Sequence, residues 1–336
     1  MLRVGIVGFG FMGRMHYAQW KALQGAEVTA VCDANPNIVQ DTKKAVGNIA
    51  GAASGVDFEA LELFSDYNKF LAEAKLDAVS ISLPTFLHPN FSIQALEAGL
   101  HVLCEKPMAL TLDECRKMMD AAAQSDKVLM IGHCVRFWPE YAETRKMIAD
   151  GRYGRVIAAT FQRLGTAPAW GDWFKDDLRS GGVAMDLHIH DTDFVQYLFG
   201  MPRAVFSRQA KAPAGGAIHI ATQYMYDDDK VVVAEGGWGM TPAFGFEMSF
   251  NIVLEKATIS YDCTRTPAFR VCPVDGETFT PQVASGDGYS IEIDHFARTV
   301  AGENPPQVIT LEESRNSVKI VLAEKESAEE HRSVEL

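Results

Sequence analysis

Residues 3–13 read RVGIVGFGFMG, a short apolar strand pattern that runs directly into the glycine series Gly8-Phe9-Gly10-Phe11-Met12-Gly13. In such a series the first glycine permits a tight turn, the second lets the backbone approach a pyrophosphate, and the third allows close packing of helix on strand. The N-terminus of the following helix offers free N–H groups to an anion. The stretch therefore predicts a dinucleotide-binding strand–loop–helix unit in which residues 8–13 contact the cofactor.

An acidic residue stands where a dinucleotide-binding unit contacts the adenosine ribose. The second predicted strand, Glu27–Cys32, is followed by Asp33, about 20 residues beyond Gly13. A carboxylate there accepts the ribose hydroxyls and repels a 2′-phosphate, and the next residues, Ala34-Asn35-Pro36, supply no cation. The sequence therefore predicts NAD as the cofactor, with NADP less favoured. A glycine turn that merely joins a strand to a helix is the alternative interpretation.

The first third of the chain alternates strand-like and helix-like segments. The predicted strands are short and apolar: Arg3–Val7, Glu27–Cys32, Ala78–Leu83, His101–Cys104 and Val128–Ile131. A Thr111-x-x-Glu114 capping box opens one of the helices, and the small residues of Gly47–Val56 predict a surface loop. Because parallel strands need crossover helices, the alternation predicts an α/β domain with a doubly wound parallel sheet, a Rossmann fold, over residues 1–125.

The second half of the chain, residues 126–336, has a different pattern. Its strand-like segments follow one another without intervening helices: Arg155–Leu164, Val205–Gln209, Ile218–Tyr226, Lys230–Trp238, Met248–Leu254 and Thr258–Tyr261. Helices are predicted at Pro139–Ala149, about Gly182–Phe199 and about Leu311–Glu330, the last behind a second capping box at Thr310. This pattern predicts an α+β domain built on a largely antiparallel, open sheet.

Composition narrows the class of partner. The formal net charge of −13 argues against nucleic acid and anionic membranes, because both repel an acidic protein. The six cysteines form no CxxC pair, which favours reduced thiols in the cytoplasm over a disulfide framework. No apolar run reaches the about 20 residues of a membrane span. A signal peptide is the alternative interpretation of residues 1–13, but the spaced glycines and Arg14 disfavour it.

Two further motifs follow predicted strands, where Rossmann proteins place their chemistry. Pro84-Thr85-Phe86-Leu87-His88 comes after the third strand, and Glu105-Lys106-Pro107 after the fourth. We expect five of these residues at the cofactor: Pro84, Thr85, His88, Glu105 and Lys106. A lysine beside a nicotinamide can stabilise negative charge that develops on a substrate oxygen. A solvated surface lysine is the competing interpretation of Lys106.

With these motifs in view, the sequence closely resembles the glucose–fructose oxidoreductase / inositol dehydrogenase / rhizopine-catabolism (Gfo/Idh/MocA) family. The resemblance covers nearly the whole chain, through residues 8–13, 84–88, HVLCEKPMAL at 101–110, RFWPEYAETRKMIADGRYG at 136–154 and DWFKDDLRSGGVAMDLHIHDTDF at 172–194. Glu-Lys-Pro combined with a later Gly-Gly-x-x-x-Asp-x-x-x-His-x-x-Asp is specific, whereas either motif alone is not.

The resemblance implies a catalytic set of Lys106, Asp186 and His190. In the family the lysine orients substrate and nicotinamide, and the Asp and His of the second motif complete the set. Asp193 matches the last acid of that motif. The family usually has a small residue between the catalytic Asp and His, where this sequence has His188. That departure predicts a reshaped pocket.

The resemblance further implies hydride transfer between nicotinamide C4 and a secondary alcohol carbon of a sugar, cyclitol or related polyol. Neutral His190 would take the hydroxyl proton, since an unperturbed imidazole suits a general base at neutral pH. Asp186 would orient that imidazole, and Lys106 would stabilise the alkoxide. Trp173 and Arg163 are further candidate substrate contacts, because an aromatic face suits a sugar ring and a guanidinium suits hydroxyls.

Several alternatives stay open. A redox-cycling glycosidase or epimerase would retain its NAD, and a cofactor-binding regulator would lack catalysis. A metal site at His188 and His190 is chemically reasonable, but on an α-helix these side chains lie about 200° apart, whereas Asp186 and His190 share a face. We therefore expect no metal. We also expect a homo-dimer or homo-tetramer, since an exposed sheet face favours pairing.

Overall fold

The structure, a computed structural model, describes residues 1–42, 55–167, 173, 176–212 and 216–336. Apart from its last two residues, the predicted loop Gly47–Val56 lies outside these ranges. The chain divides into two compact units. The first comprises Met1–Cys134 and Asp287–Arg315, and the second comprises Val135–Gly286 and Asn316–Leu336.

The helices and strands have the following bounds. Strands and helices alternate at first: β1 Leu2–Val7, α1 Phe11–Ala22, β2 Ala26–Cys32, α2 Ile38–Thr42, β3 Glu62–Phe64, α3 Tyr67–Glu73, β4 Ala78–Ile81, α4 His88–Glu97, β5 His101–Glu105, α5 Leu112–Gln124 and β6 Leu129–Gly132. Then follow α6 Pro139–Ala149, β7 Val156–Leu164, α7 Asp177–Ser180, α8 Ile189–Phe199, β8 Ala204–Lys211, β9 Ala217–Met225, β10 Val231–Gly237, β11 Glu247–Leu254, β12 Ala257–Asp262, β13 Phe269–Pro273, α9 Gly288–Val300, α10 Leu311–Glu330 and β14 Val334–Glu335.

The first unit contains a parallel sheet in the order β3-β2-β1-β4-β5-β6. Its central strands are buried on both faces, since every residue of β4 is buried, and this explains their continuous apolar sequences. The predicted Rossmann sheet is confirmed. The sequence did not reveal β3, whose three residues are mostly exposed.

Helix α9 belongs to the first unit although it lies far along the chain. Ile293 and Phe296 of α9 join the core formed by β1 and α1, and the Phe296 ring meets Trp20 edge-on at 6.1 Å. The division of the chain therefore differs from the predicted 1–125 and 126–336. The first unit extends through β6, and residues 287–315 return to it because the apolar face of α9 is buried there.

The second unit contains a sheet in the order β13-β12-β11-β7-β10-β9-β8-β14. Its pairings are antiparallel except that of β10 with β7, so the predicted largely antiparallel sheet is confirmed. One face packs on helices. The ring of Tyr141 on α6 lies 4.8 Å from Phe194 of α8, 4.9 Å from Phe250 and 5.4 Å from Tyr261. This aromatic cluster fixes α8, and with it the turn described below, against the sheet.

Helix α10 begins behind the capping box that the sequence predicts. The backbone N–H of Thr310 donates to a Glu313 carboxylate oxygen at 2.9 Å, and that of Glu313 donates to Thr310 Oγ1 at 3.0 Å.

Across the described ranges, no helix combines the length and the apolar character that crossing a bilayer requires.

Candidate active site

The glycine loop between β1 and α1 has a strongly constrained backbone. Gly8 has a φ of 83°, and a Cβ on it would lie 2.7 Å from the carbonyl oxygen of Ser82. A Cβ on Gly13 would overlap the carbonyl oxygen of Gly8. Gly10, by contrast, is exposed, and no described atom lies within 4 Å of the place its Cβ would take. Two glycines are therefore required by the turn, and Gly10 leaves open space beside the N-terminus of α1.

Asp33 connects the end of β2 to this loop. Its Oδ2 accepts the N–H of Phe9 at 2.7 Å and its Oδ1 accepts the N–H of Asn35 at 2.8 Å, and each oxygen keeps a lone pair for a hydroxyl donor. The Phe9 side chain is buried against Tyr17 and Phe58, so Phe9 presents its backbone and not its ring to a ligand.

These features fit the phosphates and ribose of a dinucleotide. The space at Gly10, which a Cβ would fill, allows a pyrophosphate to approach the backbone at the N-terminus of α1. Of the other loop residues, Phe11 is buried and Met12 is half-buried. Residues 8–13 would hold the pyrophosphate, and Asp33 would hold the ribose.

His88 joins two loops at the carboxyl ends of strands. Its Nδ1 lies 2.8 Å from the carbonyl oxygen of Pro107, and its Nε2 lies 2.8 Å from that of Leu83. Burial lowers the pKa of His88, while the two carbonyls and the carboxylate of Glu105 oppose that effect. Both ring nitrogens face backbone carbonyls, so His88 links the two loops, and its contact with a cofactor stays a prediction. Thr85 is likewise buried.

Glu105 ends a buried chain of hydrogen bonds behind Lys106. His16 Nε2 lies 2.8 Å from Glu105 Oε1, and His16 Nδ1 lies 2.6 Å from Ser80 Oγ. Trp20 Nε1 donates to Ser80 Oγ at 3.4 Å, and the backbone N–H of Lys106 donates to Glu105 Oε2 at 3.2 Å. All four contacts are satisfied when His16 donates from Nε2 to Glu105 and accepts from Ser80 at Nδ1.

The charge state of Glu105 follows from these partners. Burial alone would raise its pKa, but the hydrogen bond from His16 and the charge of Lys106 lower it. Glu105 is therefore a buried carboxylate that holds the backbone of Lys106, and its contact with a cofactor stays a prediction. Lys106 itself is half-buried at the carboxyl end of β5, where Rossmann proteins bind their ligands, and precedes a cis peptide bond to Pro107.

In the second unit, a helical turn carries the Asp186–His190 segment. Gly181 and Gly182 enter it with φ of 77° and 74°, which side chains with a Cβ rarely adopt. Residues Ala184–His188 then form a π-helical turn that continues into α8. The predicted helix Gly182–Phe199 is therefore present, but its first turn is wider than an α-helix. Such π-helical insertions are frequent at functional sites.

The turn sorts its polar side chains by exposure. Asp186 and His190 are half-buried, so both reach solvent, whereas His188 between them is fully buried. His188 Nε2 lies 3.4 Å from the hydroxyl of Tyr224 and 3.6 Å from a carboxylate oxygen of Glu324. The two histidines therefore face different environments, as the spacing predicts. Among the described residues, no group of three or more His, Cys, Asp or Glu side chains is arranged to hold a metal ion.

The remaining acids of this segment are held in buried ion pairs. Asp193 accepts two hydrogen bonds from Arg136, both at 2.8 Å, and a third from the Ser317 hydroxyl at 2.7 Å. Asp191 accepts two from Arg163, at 2.9 and 3.1 Å. Arg163 is 4% exposed, so the structure gives this predicted substrate contact an internal partner instead.

Trp173 is the other predicted substrate contact. It is half-buried, and its carbonyl oxygen accepts the N–H of Asp176 at 3.2 Å. Residues 168–172 and 174–175 lie outside the described ranges, so its role stays a prediction.

Sequence reasoning missed three buried polar residues that support these segments: His16, Arg136 and Glu324. His16 lies three residues beyond Gly13, one helical turn before Trp20, and a polar residue on the inner face of a predicted helix is the signal that could have revealed it. The pairing of Arg136 with Asp193, 57 residues apart, and of Glu324 with Thr192, 132 residues apart, has no local sequence signal.

Two family profiles match this chain. Residues 2–133 match the profile of an oxidoreductase family with an NAD-binding Rossmann fold, GFO_IDH_MocA. Residues 141–260 match the GFO/IDH/MocA C-terminal domain.

Individual relatives extend the comparison. Myo-inositol 2-dehydrogenase from Thermotoga maritima is 23% identical over 100% of this chain and 98% of its own length. D-glucoside 3-dehydrogenase from Escherichia coli is 31% identical, over 60% of this chain and 55% of that relative. The structure of a levoglucosan dehydrogenase in complex with NADH and levoglucosan superposes with a TM-score of 0.83 at 22% identity, covering 99% of each chain. That likeness shows a common fold.

Proposed function

We propose, from the premise that this chain belongs to the Gfo/Idh/MocA family of NAD-binding oxidoreductases, that it transfers a hydride between nicotinamide and a secondary alcohol or ketone carbon of a sugar, cyclitol or related polyol. The observation that best supports this chemistry is the difference in exposure among the polar side chains of residues 184–190. Asp186 and His190 are accessible on one turn, and the residue between them is buried. An acid and an imidazole so placed can serve a substrate hydroxyl as orienting group and base.

Each proposed catalytic residue has a separate task. When bound, NAD supplies the hydride acceptor at C4 of its nicotinamide. His190 takes the hydroxyl proton, and Asp186 orients the imidazole and stabilises the imidazolium that results. Lys106 stabilises alkoxide character on a substrate oxygen. Glu105 and His16 hold the backbone of Lys106 in place.

The substrate class follows the relatives. Proteins similar to this chain are named for myo-inositol, a D-glucoside and levoglucosan, all of which carry ring secondary alcohols. A screen of inositols, glucosides and anhydro sugars with NAD, followed by NADH absorbance and product chromatography, tests the proposal. NADH formed together with a ketone supports a dehydrogenase. Product without accumulated NADH identifies a redox-cycling enzyme, and no conversion in any of the three classes contradicts the proposal.

The proposal includes NAD preference, which the placement of Asp33 beside the loop supports. We expect catalytic efficiency with NAD to exceed that with NADP. Replacing Asp33→Ala together with Ala34→Arg should reverse the preference, because the repelling charge is lost and a 2′-phosphate gains a cation. A wild-type efficiency with NADP equal to or above that with NAD would contradict this assignment.

We also propose a cytoplasmic homo-oligomer that pairs through the sheet face opposite α8. On that face Val231 and Val253 flank Ala158 in register and are 49% and 38% exposed. Analytical ultracentrifugation should show a dimer or tetramer, and Val231→Asp combined with Val253→Asp should lower the oligomer size. A wild-type monomer would contradict this part of the proposal.

A further inference from the structure

Four buried side chains form a polar cluster behind the turn that carries Asp186 and His190. His188, Thr192, Tyr224 and Glu324 are each at most 1% exposed, and they come from that turn, α8, β9 and α10. The Thr192 hydroxyl donates to Glu324 Oε1 at 2.9 Å and lies 3.0 Å from the Tyr224 hydroxyl. The Tyr224 hydroxyl lies 3.4 Å from His188 Nε2, and Glu324 Oε2 lies 3.6 Å from the same nitrogen.

The sheet is shaped to admit the imidazole of His188. A Cβ on Gly236 of β10 would lie 2.9 Å from both the Cβ and the Nδ1 of His188. Such a separation is closer than van der Waals contact allows, so β10 accommodates this side chain by having a glycine at that position. The imidazole of His188 therefore occupies interior space that a larger residue at position 236 would fill.

The charged groups around the cluster are already paired. Arg163, which faces His188 from β7, is bound to Asp191, and His219 of β9 lies 2.6 Å from Glu235. A Glu324 carboxylate would therefore be buried beside hydroxyl groups and a neutral imidazole, which is costly. Burial raises the pKa of Glu324 to about 7, although its bonds with Tyr224 and Thr192 oppose the shift.

His188 shifts in the opposite direction. Burial, together with the charges of Arg163 and His219, lowers its pKa to about 3. Between about pH 3 and 7, the cluster therefore carries its proton mainly on the carboxyl group. A proton on Glu324 Oε2 would lie toward His188 Nε2, slightly beyond usual hydrogen-bond length.

We propose that His188 and Glu324 form a neutral buried pair, with the proton on Glu324, that positions the turn bearing Asp186 and His190. Glu324 and His188 are then positioning residues, and this catalytic part rests on the proposed function. In the unfolded chain at about pH 5.5, His188 is protonated and Glu324 is ionised. Folding therefore moves one proton from the imidazole to the carboxyl group, with no net uptake or release.

The pair has a specific signature in folding stability. A raised carboxyl pKa makes stability fall with rising pH between about 4.5 and about 7. A lowered imidazole pKa makes stability rise with pH between about 3 and 6.5. Between about 4.5 and 6.5 the two contributions cancel in the wild type. When one partner is replaced, the pH dependence of folding stability that the other produces is no longer cancelled and can be measured.

Infrared spectroscopy tests the location of the proton without any substrate. We expect the wild-type spectrum at pH 6 to contain a protonated-carboxyl C=O component that is lost at pH 8 and is missing from Glu324→Gln at both values. Burial also raises the pKa of Asp191, but any band from Asp191 is common to both proteins. Ser327→Ala, a buried substitution one turn along α10, is the matched control and should keep the band. A wild-type spectrum identical to that of Glu324→Gln at pH 6 would overturn the proposal.

Unfolding equilibria give a second measurement that is independent of activity. The unfolding constant of Glu324→Gln divided by that of the wild type should fall about tenfold per pH unit between pH 5 and 6.5, because the variant lacks the carboxyl contribution. The same ratio for Ser327→Ala should not change with pH. A pH-independent ratio for Glu324→Gln would also overturn the neutral pair.

Turnover tests the positioning role once a substrate is found. Glu324→Gln stays neutral, so it should retain kcat within about threefold at pH 6.5 and lack the decline that ionisation of Glu324 produces above pH 7 in the wild type. The Kd for NAD should not change. Identical pH profiles of kcat for variant and wild type would show that the pair does not position the turn. The infrared and unfolding results would stand even if the substrate class proved wrong.

Discussion

The two buried carboxyl groups behind Lys106 and behind His190 have pKa values shifted in opposite directions. Behind Lys106, Glu105 is an ionised carboxylate because His16 and a backbone N–H occupy both of its oxygens. Behind His190, the hydrogen-bond partners of Glu324 are the hydroxyl groups of Thr192 and Tyr224, and it faces a histidine at 3.6 Å, so burial raises its pKa. The donors and charges around a buried carboxyl group, and not burial alone, decide whether it is ionised.

The largest effect should come from removing the proposed base. His190→Ala should lower alcohol oxidation at neutral pH by about 10³-fold, within the range that general bases contribute, and leave the Kd for NAD nearly unchanged. Steady-state kinetics and cofactor titration measure both quantities. His219→Gln, at a histidine paired with Glu235 on the other face of the sheet, is the control. Wild-type turnover in His190→Ala would remove this residue from the mechanism.

The second largest effect should come from breaking the buried ion pair between Arg136 and Asp193 of α8. Asp193→Ala leaves the buried guanidinium of Arg136 without its carboxylate, which should cost about 3–5 kcal/mol in the free energy of unfolding. Urea denaturation measures the loss. Asp113→Ala removes an exposed partner of Arg116 and Lys117 and should change the free energy of unfolding very little, because water screens exposed charges. Equal losses in the two variants would show that burial does not distinguish these pairs.

Lys106→Ala should affect chemistry more than folding. The ammonium group stabilises charge that develops during the reaction, and removing such a donor typically lowers turnover about 10²-fold or more. Lys106 is half-buried, so thermal unfolding should occur close to the wild-type temperature. Kinetics and calorimetry on the same sample separate the two effects. Near-normal turnover would favour the interpretation of Lys106 as a surface lysine.

The smallest effect should come from the chain behind Lys106. His16→Ala removes the donor to Glu105 and should lower kcat about tenfold by displacing Lys106, with little change in substrate KM. His16→Gln can still donate to Glu105 and should recover part of the loss. If the two variants have equal kcat, the hydrogen bond does not position Lys106.

Local sequence patterns predicted the bounds of two helices correctly. The bounds of α6, Pro139–Ala149, and of α10, Leu311–Glu330, agree with the structure, because proline at a helix start and a Thr-x-x-Glu box are local signals. Helix α9 and strand β13 were not foreseen. The placement of α9 depends on the apolar surface of α1, which no local signal in α9 encodes.

For the candidate site, the sequence by itself determined which chemical groups are present and how they are spaced. The glycine series, Asp33, Lys106 and the Asp186–His190 spacing are local, and the backbone geometry of a turn or helix follows from such local patterns. Only the tertiary structure decided the environment of each group. It placed His88 between two carbonyls, paired Arg163 with Asp191, and left Glu324 facing His188. The physical reason is that burial and hydrogen-bond partners set charge states, and those partners are brought together from distant parts of the chain.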